Sequence, residues 1–270
     1  MPDAANDRRD EIPAISRPLL ALFRYIVGRY FRRHFHSVRL SGASRLSSVS
    51  GPLIIYANHC SWWDPMIAYF LAAKLLPHRK HYAPMDAAAL THYGVLRRLG
   101  VFPVEMHTPR GAAQFLRTGR AVLRSDAVLW VTPQGQFADP RERPLLFKPG
   151  LAALAARLGQ CTLVPLAIEY TFWNERFPEA LLLMGDPIHV SGKSANSLEP
   201  KLIAALEGSM EALKAMVVNR DPASFERTLS FRAAGTGGIY AIAQRLRAFA
   251  LRRPYQAEHG SSHQNGAVSQ

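Results

Sequence analysis

Between residues 52 and 190, short apolar runs alternate with amphipathic stretches, and this alternation limits the fold more than any other feature of the chain. The runs are Leu53-Ile54-Ile55-Tyr56, Val101-Phe102-Pro103-Val104, Ala127 through Val131, Cys161 through Ile168, and Leu181 through Met184. Each has the length and apolar content of a buried strand, and Gly, Pro or Asp residues mark most of the boundaries. Stretches of helical period lie between them, over about 64–76, 86–99, 110–124 and 150–158, with a further helix expected over 197–218. Strand and helix signals in alternation predict an α/β domain. Pro165, inside one of the runs, predicts an edge strand or a strand start at that point.

The 270 residues suffice for one large domain with appendages. Residues 1–17 read as a loose polar N-terminus, 18–40 as an amphipathic segment, 41–253 as the α/β domain with a last helix over 239–253, and 254–270 as a disordered polar tail. A formal net charge of +13 points to a polyanionic partner such as an anionic membrane, a phosphorylated ligand or nucleic acid. Nucleic acid is the weakest of these, because no zinc-finger spacing or recognition-module signature accompanies the charge. The two cysteines, Cys60 and Cys161, make no disulfide framework and fit a reducing compartment. The acidic N-terminus does not read as a signal peptide, and no apolar run approaches the roughly 20 residues that span a bilayer.

Residues 18–36 have a distinct pattern. On a helical wheel Arg24, Arg29, Arg32 and Arg33 share one half, and Leu19, Leu20, Phe23, Ile26, Val27, Tyr30 and Phe31 fill most of the other, with Leu22 the exception. Such a helix either lies in a membrane interface or packs its apolar face on the core with its arginines in solvent.

The chemistry concentrates in Asn58-His59-Cys60-Ser61-Trp62-Trp63-Asp64-Pro65, directly after the first apolar run. Asp-Pro opens a helix, so His59 and Asp64 lie on the turn between a strand's C-terminal end and a helix, where open α/β sheets bind ligands. A neutral imidazole accepts a proton from a hydroxyl, and a carboxylate on its other nitrogen fixes the tautomer and stabilises the imidazolium. The plainer alternative makes Asp64 an ordinary helix N-cap and His59 a turn histidine. Cys60 raises a thiol nucleophile, although adjacent side chains on an extended strand end point apart. No G-x-S-x-G elbow is present. His78 and His81 read as a solvated basic turn, since no Cys or carboxylate joins them at metal-ligand spacing. Pro133-Gln134-Gly135 marks a tight turn at a strand exit, and Arg141, Arg143 and Lys148 follow it in a Pro-rich loop as candidates for holding an anion or as a solvated charged loop.

Four blocks in one order resemble the glycerolipid acyltransferase family of the lysophosphatidate acyltransferase type. Asn58-His59 through Asp64 is similar to its N-H-x-x-x-x-D block, and Gly100 through Val104 to its second block. Pro133-Gln134-Gly135 stands where the family has Pro-Glu-Gly-Thr-Arg, and Phe147-Lys148-x-Gly150 followed by Val164 through Ile168 is similar to the later blocks. The likeness covers about residues 50–190.

The resemblance implies a central, mostly parallel sheet flanked by helices, with 18–36 suited to touching a membrane. It implies an O-acyltransferase that uses no cofactor and moves a fatty acyl group from acyl-CoA or acyl carrier protein to a lipid alcohol. The expected place of work is the cytoplasmic face of an anionic membrane, as a peripheral or monotopic protein. His59 would be the base and Asp64 its support, with Asn58, Gln134 and Gly135 among the substrate-binding positions. Two departures bear on the acceptor. Gln134 replaces the family's Glu and Gln136-Phe137 its Thr-Arg, and the second block lacks a closely following Arg, the nearest being Arg110. The acceptor is then lysophosphatidate, with Arg110, Arg141, Arg143 and Lys148 rebuilding an anion site, or another amphipathic alcohol such as a glycolipid. A membrane-binding protein that keeps the fold without turnover is the alternative reading.

Overall fold

The computed structural model of the chain describes residues 12–47, 49–192 and 194–231. The helix expected over 239–253, the tail 254–270 and most of the N-terminal segment 1–17 lie outside the described residues. In chain order the elements are α1 (Arg17–His34), β1 (Ser37–Ser41), β2 (Leu53–Ala57), α2 (Asp64–Leu75), β3 (His81–Asp86), α3 (Ala87–His92), β4 (Val101–Val104), α4 (Pro109–Arg124), β5 (Val128–Val131), α5 (Gly150–Leu158), β6 (Gln160–Thr171), β7 (Glu179–Met184), β8 (Ile188–Ser191), α6 (Ala195–Val218) and β9 (Arg227–Phe231).

Local chemistry sets several helix starts. Asp86 accepts a hydrogen bond from the Ala88 N–H at 3.2 Å to begin α3, and Thr108 accepts from Gly111 N–H at 3.0 Å to begin α4. The single helix expected over 86–99 is instead two pieces. Asp86 still belongs to β3, α3 stops at His92, and Gly94–Leu99 wind as a 3₁₀ turn, with Gly94, the poorest helix former of the stretch, at the break.

Among the described residues the sheet has nine strands, in the order β4-β3-β5-β2-β6-β7-β1-β9 with β8 also paired to β6. From β4 to β6 all neighbours are parallel; β7 and β8 run antiparallel to β6, β1 runs parallel to β7, and β9 closes the edge antiparallel to β1. The fold is thus α/β with a mostly parallel sheet. Strand β2 sits inside it, Leu53–Tyr56 aligned with Val128–Val131 on one side and Leu53–Ala57 with Thr162–Leu166 on the other. Whatever follows Ala57 therefore emerges at the C-terminal edge of the parallel strands.

Pro165 lies neither on an edge nor at a start: it is inside β6, which is paired on both sides. One flank of β6 pairs with β8 through Gln160–Leu163 and with β7 from Leu166 onward, so the residue without an N–H falls where the partner changes.

Alternation along β2 divides the core. Leu53 and Ile55 face α1 and α2, packing with Val27, Phe31, Ile67 and Leu71, while Ile54 and Tyr56 join Phe115 of α4, Leu154 of α5 and Leu202 of α6 on the other face. Helix α1 thus uses its apolar stripe as core: Val27 and Phe31 are buried, Phe23 meets Tyr69 edge-on at 4.9 Å and Phe31 meets Phe70 at 5.0 Å. Its outer side carries Leu22, Tyr25 and Ile26 together with Arg29, Arg32 and Arg33. The helical segment also ends earlier than 40, because Ser37–Ser41 is β1, buried along its whole length within the sheet. His81 differs too. It opens β3, is buried, donates from Nε2 to the Leu76 carbonyl at 2.8 Å and accepts at Nδ1 from the Trp130 indole at 3.1 Å. Burial lowers its pKa to about 4, so it is a neutral core histidine rather than part of a solvated turn.

Candidate active site

The segment leaving β2 curls so that Asp64, at the start of α2, looks back at the residues before it. Its Oδ2 accepts from His59 Nδ1 at 2.8 Å, from Cys60 N–H at 2.8 Å and from Ser61 N–H at 3.0 Å. Its Oδ1 accepts from the Tyr170 hydroxyl at 2.8 Å. Asp64 is 3% exposed. The ordinary N-cap role does not apply, because the carboxylate takes no hydrogen bond from its own helix and closes the turn behind it instead. Four donors hold it as an acceptor-only group and fix its orientation.

The same contact fixes His59. In the neutral imidazole that gives Nδ1–H to Asp64, Nε2 is the nitrogen left without a proton, and the side chain keeps 17% of its surface in solvent. Its backbone is clamped on both sides by the loop after β5: His59 N–H donates to Gln134 Oε1 at 2.8 Å, and the His59 carbonyl accepts from Ala138 N–H at 2.9 Å. The Phe137 ring lies 4.4 Å from the imidazole and is more than half exposed. An imidazole oriented by a buried carboxylate and open at its second nitrogen can take a proton from a bound hydroxyl.

Asn58 is buried, and both ends of its amide engage Ile168: Nδ2 donates to the carbonyl at 2.9 Å and Oδ1 accepts from the N–H at 2.8 Å. It ties the end of β2 to β6, with both ends of the amide engaged by the protein. Gln134 supports the His59 backbone through its Oε1. Gly135 has φ +67°, and a Cβ there would stand 3.2 Å from the Met106 methyl and 3.3 Å from Lys148 Cγ. Only glycine takes this turn without strain, which lets loop 132–138 close on His59.

The basic candidates divide. Arg141 grips Asp139 with Nε at 2.8 Å and Nη2 at 2.7 Å, and Arg143 turns to Glu211 of α6 at 2.8 Å and to loop carbonyls. Arg110 is exposed at the start of α4 with Glu105 at 3.9 Å. Lys148, exposed and lying over Gly135, is the one of the four held beside the His59 clamp without a carboxylate partner among the described residues.

Tyr170 was not among the sequence candidates, although it lies on the strand next to β2, two residues beyond Ile168 and so on the same side of the sheet. Burial, then the Asp64 charge, raises its pKa well above the usual phenol range, which keeps it a donor. Burial, followed by the same charge, also raises the Cys60 thiol. Cys60 therefore stays protonated, with Sγ 3.9 Å from Asp64 Oδ1 and 3.7 Å from the Ile168 carbonyl, and is no thiolate nucleophile.

Gln134 gives a direct test of the clamp. Gln134→Ala removes the acceptor of a part-buried N–H and should lower turnover about tenfold or more through misplacement of His59. Gln134→Glu, whose carboxylate oxygen can accept the same bond, should stay within about threefold of the parent. Steady-state rates of the two variants check this.

Among known proteins, residues 37–169 match the Acyltransferase family. The fold is similar to the crystal structure of the 1-acyl-sn-glycerophosphate acyltransferase PlsC from Thermotoga maritima, with a TM-score of 0.56 at 17% identity, over 73% of this chain and 80% of that one. No curated protein matches. The likeness in structure supports the architecture, and the family match covers β1 through most of β6, including the whole His59–Asp64 turn and the loop that clamps it. The chain therefore carries an acyltransferase-family domain over residues 37–169.

Proposed function

We propose that the protein transfers a fatty acyl group from an acyl thioester, carried by CoA or acyl carrier protein, to the hydroxyl of a lipid acceptor, with His59 as general base and Asp64 as its support. The observation that carries this is the contact between His59 Nδ1 and a carboxylate that is itself buried and held by three further donors. In the reaction the acceptor's proton passes to His59 Nε2 as its oxygen attacks the thioester carbonyl. The tetrahedral adduct collapses, the C–S bond breaks, and the leaving thiolate takes the proton back from the imidazolium. No protein nucleophile is needed, which agrees with a protonated Cys60.

Lysophosphatidate is one acceptor, by analogy with the Thermotoga maritima 1-acyl-sn-glycerophosphate acyltransferase. The side chains around His59 favour a less anionic one. Phe137 stands over the imidazole, and Arg141 and Arg143 are committed to carboxylates, which leaves Lys148 as the cation near the clamp. The reading also places the protein peripherally on the cytoplasmic face of an anionic membrane. No helix among the described residues is long and apolar enough to cross one, and α1 turns Leu22, Tyr25 and Ile26 outward while Trp62, on the turn that follows His59, is half exposed.

The test is turnover of an acyl-CoA, and of acyl carrier protein loaded with the same chain, against lysophosphatidate, a monoacylglycerol and a glycosylated lipid alcohol. Free thiol is followed by colour and the product by mass spectrometry. The expected result is thiol release matched by acylated lipid, with an uncharged acceptor preferred over lysophosphatidate. Absence of turnover with every pair, in protein that still binds vesicles, would favour the membrane-binding alternative.

A further inference from the structure

A second feature lies away from the catalytic turn. A cleft of about 400 Å³ opens between α1, α2 and β9, and its lining includes Arg24, Arg32 and Lys74 together with Tyr25, Gly28 and Ser230. None of the residues that line it is acidic. Arg24 Nε is buried with no hydrogen-bond partner among the described residues, and the Lys74 ammonium has the Phe70 ring, 5.9 Å away, as its neighbour. Leaving a guanidinium N–H dry and unpaired is costly, and gathering three cations without an anion adds repulsion. Both costs vanish when an anion enters.

Arg24, Gly28 and Arg32 stand one turn apart on a single face of α1. Gly28 opens the floor between the two guanidiniums: a Cβ placed there has no atom within 4 Å. The cleft takes α2 from Tyr69 to Lys74, whereas Asp64 begins that helix, so about 8 to 15 Å of helix lies between Asp64 and the residues that line the cleft. None of its lining residues belongs to the His59–Asp64 turn or to the loop that clamps it.

We propose that this cleft binds the phosphate of an anionic membrane lipid. The inference rests on the membrane-bound reading given above and names the place where the headgroup sits. The source is a lipid rather than a soluble phosphate because of what borders the cleft. Tyr25, one of its walls, is 61% exposed, and Leu22 and Ile26 flank it on the same helix at 55% and 47% exposure. Apolar side chains at that place enter the boundary between headgroups and acyl chains, while arginines one turn away meet phosphates. The other end of α1 grips the catalytic segment, with Tyr30, Phe31, His34 and Phe35 around Trp63 at centroid distances of 5.3, 5.8, 5.7 and 4.7 Å. A headgroup held at the middle of α1 thus fixes how His59 is presented to the bilayer.

The experiment is co-flotation of the full chain with vesicles of phosphatidylcholine alone, or of equal parts phosphatidylcholine and phosphatidylglycerol. The double variant Arg24→Gln, Lys74→Gln should lose more than about tenfold in affinity for the mixed vesicles and little for the neutral ones. Gly28→Leu, which fills the floor without changing charge and suits a helix, should lose a comparable amount. Arg120→Gln, Arg124→Gln, an equal charge change on α4 across the sheet, should keep near-parent binding. Turnover of detergent-dispersed acceptor should be unchanged in all of them. Parent-like binding by Gly28→Leu, or an equal loss in the α4 variant, would overturn the cleft as a site and leave only diffuse attraction. Loss of coenzyme A affinity by calorimetry, with vesicle binding kept, would assign the cleft to a soluble phosphate and overturn the lipid. If the parent protein binds neither vesicle, the membrane-bound reading itself fails.

Discussion

His59→Ala is expected to lower acyl transfer by about a thousandfold or more, and Asp64→Asn by about a hundredfold, with the double variant no slower than His59→Ala alone. The ordering follows from how the carboxylate is held. Three donors, His59 Nδ1 and the N–H groups of Cys60 and Ser61, converge on Oδ2, while Oδ1 faces the Tyr170 hydroxyl and, at 3.9 Å, the Cys60 thiol. An asparagine carbonyl placed at the Oδ2 position satisfies all three, and its amide can turn to Tyr170, whose hydroxyl then accepts. The His59 tautomer is thereby kept, so Asp64→Asn removes charge more than geometry, and the imidazolium formed during attack loses its neighbouring anion. His59→Ala removes the base outright. Because Asp64 acts through His59, its loss has nothing left to act on once the imidazole is gone, and the effects should not add. Rates of the three variants, beside their thermal melting curves, decide the matter. A double variant about a hundredfold slower than His59→Ala alone would show that Asp64 works by another route.

The parts of the fold legible in the sequence are those whose apolar runs are continuous. β2, β5, β7 and most of β6 are buried on both faces, and they stand out as runs without alternation; the edge strand β4 is legible from its short apolar run although only Val101 and Phe102 are buried. The strands that escape are those in which polar residues break up the apolar run. β1 reads Ser-Val-Arg-Leu-Ser yet is wholly buried, β3 contains Pro84, and β8 and β9 alternate in short, partly exposed pieces. In β1 the polar side chains are inside because they find partners on β7 and β9, which lie about 140 to 190 residues further along the chain. Local pattern holds no trace of such pairing. The site divides in the same way. His59 and Asp64 share one turn and are visible together, whereas Tyr170 meets Asp64 only through the pairing of β2 with β6. The arginines of the 139–148 loop look like anion ligands in sequence, and the structure instead closes them on Asp139 and Glu211.

The hidden strand also carries the largest expected effect on stability. Glu179, 2% exposed, opens β7 opposite Ser37 of β1, accepts from the Ser37 hydroxyl, and has Arg39 Nε at 3.4 Å and His36 Nε2 at 3.8 Å. Arg39 is 7% exposed, donates from Nη1 to Thr228 of β9 at 3.1 Å and lies 5.8 Å from the centre of the Trp173 ring. Its Nε is an ion-pair neighbour of Glu179 at 3.4 Å, too poorly aligned for a hydrogen bond, so the charge of Glu179 is what compensates it. Glu179→Ala leaves a buried guanidinium without an anion and should cost about 3–5 kcal/mol, seen as a fall of about 10 °C in the melting midpoint. Replacing both partners, Arg39→Met with Glu179→Leu, should recover most of that loss, because the desolvation of both charges is removed along with their attraction. The cost falls on the β7–β1–β9 edge, which α1 leads into and where Phe35 meets Trp63 and, at 5.8 Å, Tyr170. Glu179→Ala should therefore keep its rate per folded molecule at low temperature and lose activity early on warming. A variant that melts with the parent would show that water reaches Arg39 and that the edge is not held by this pair.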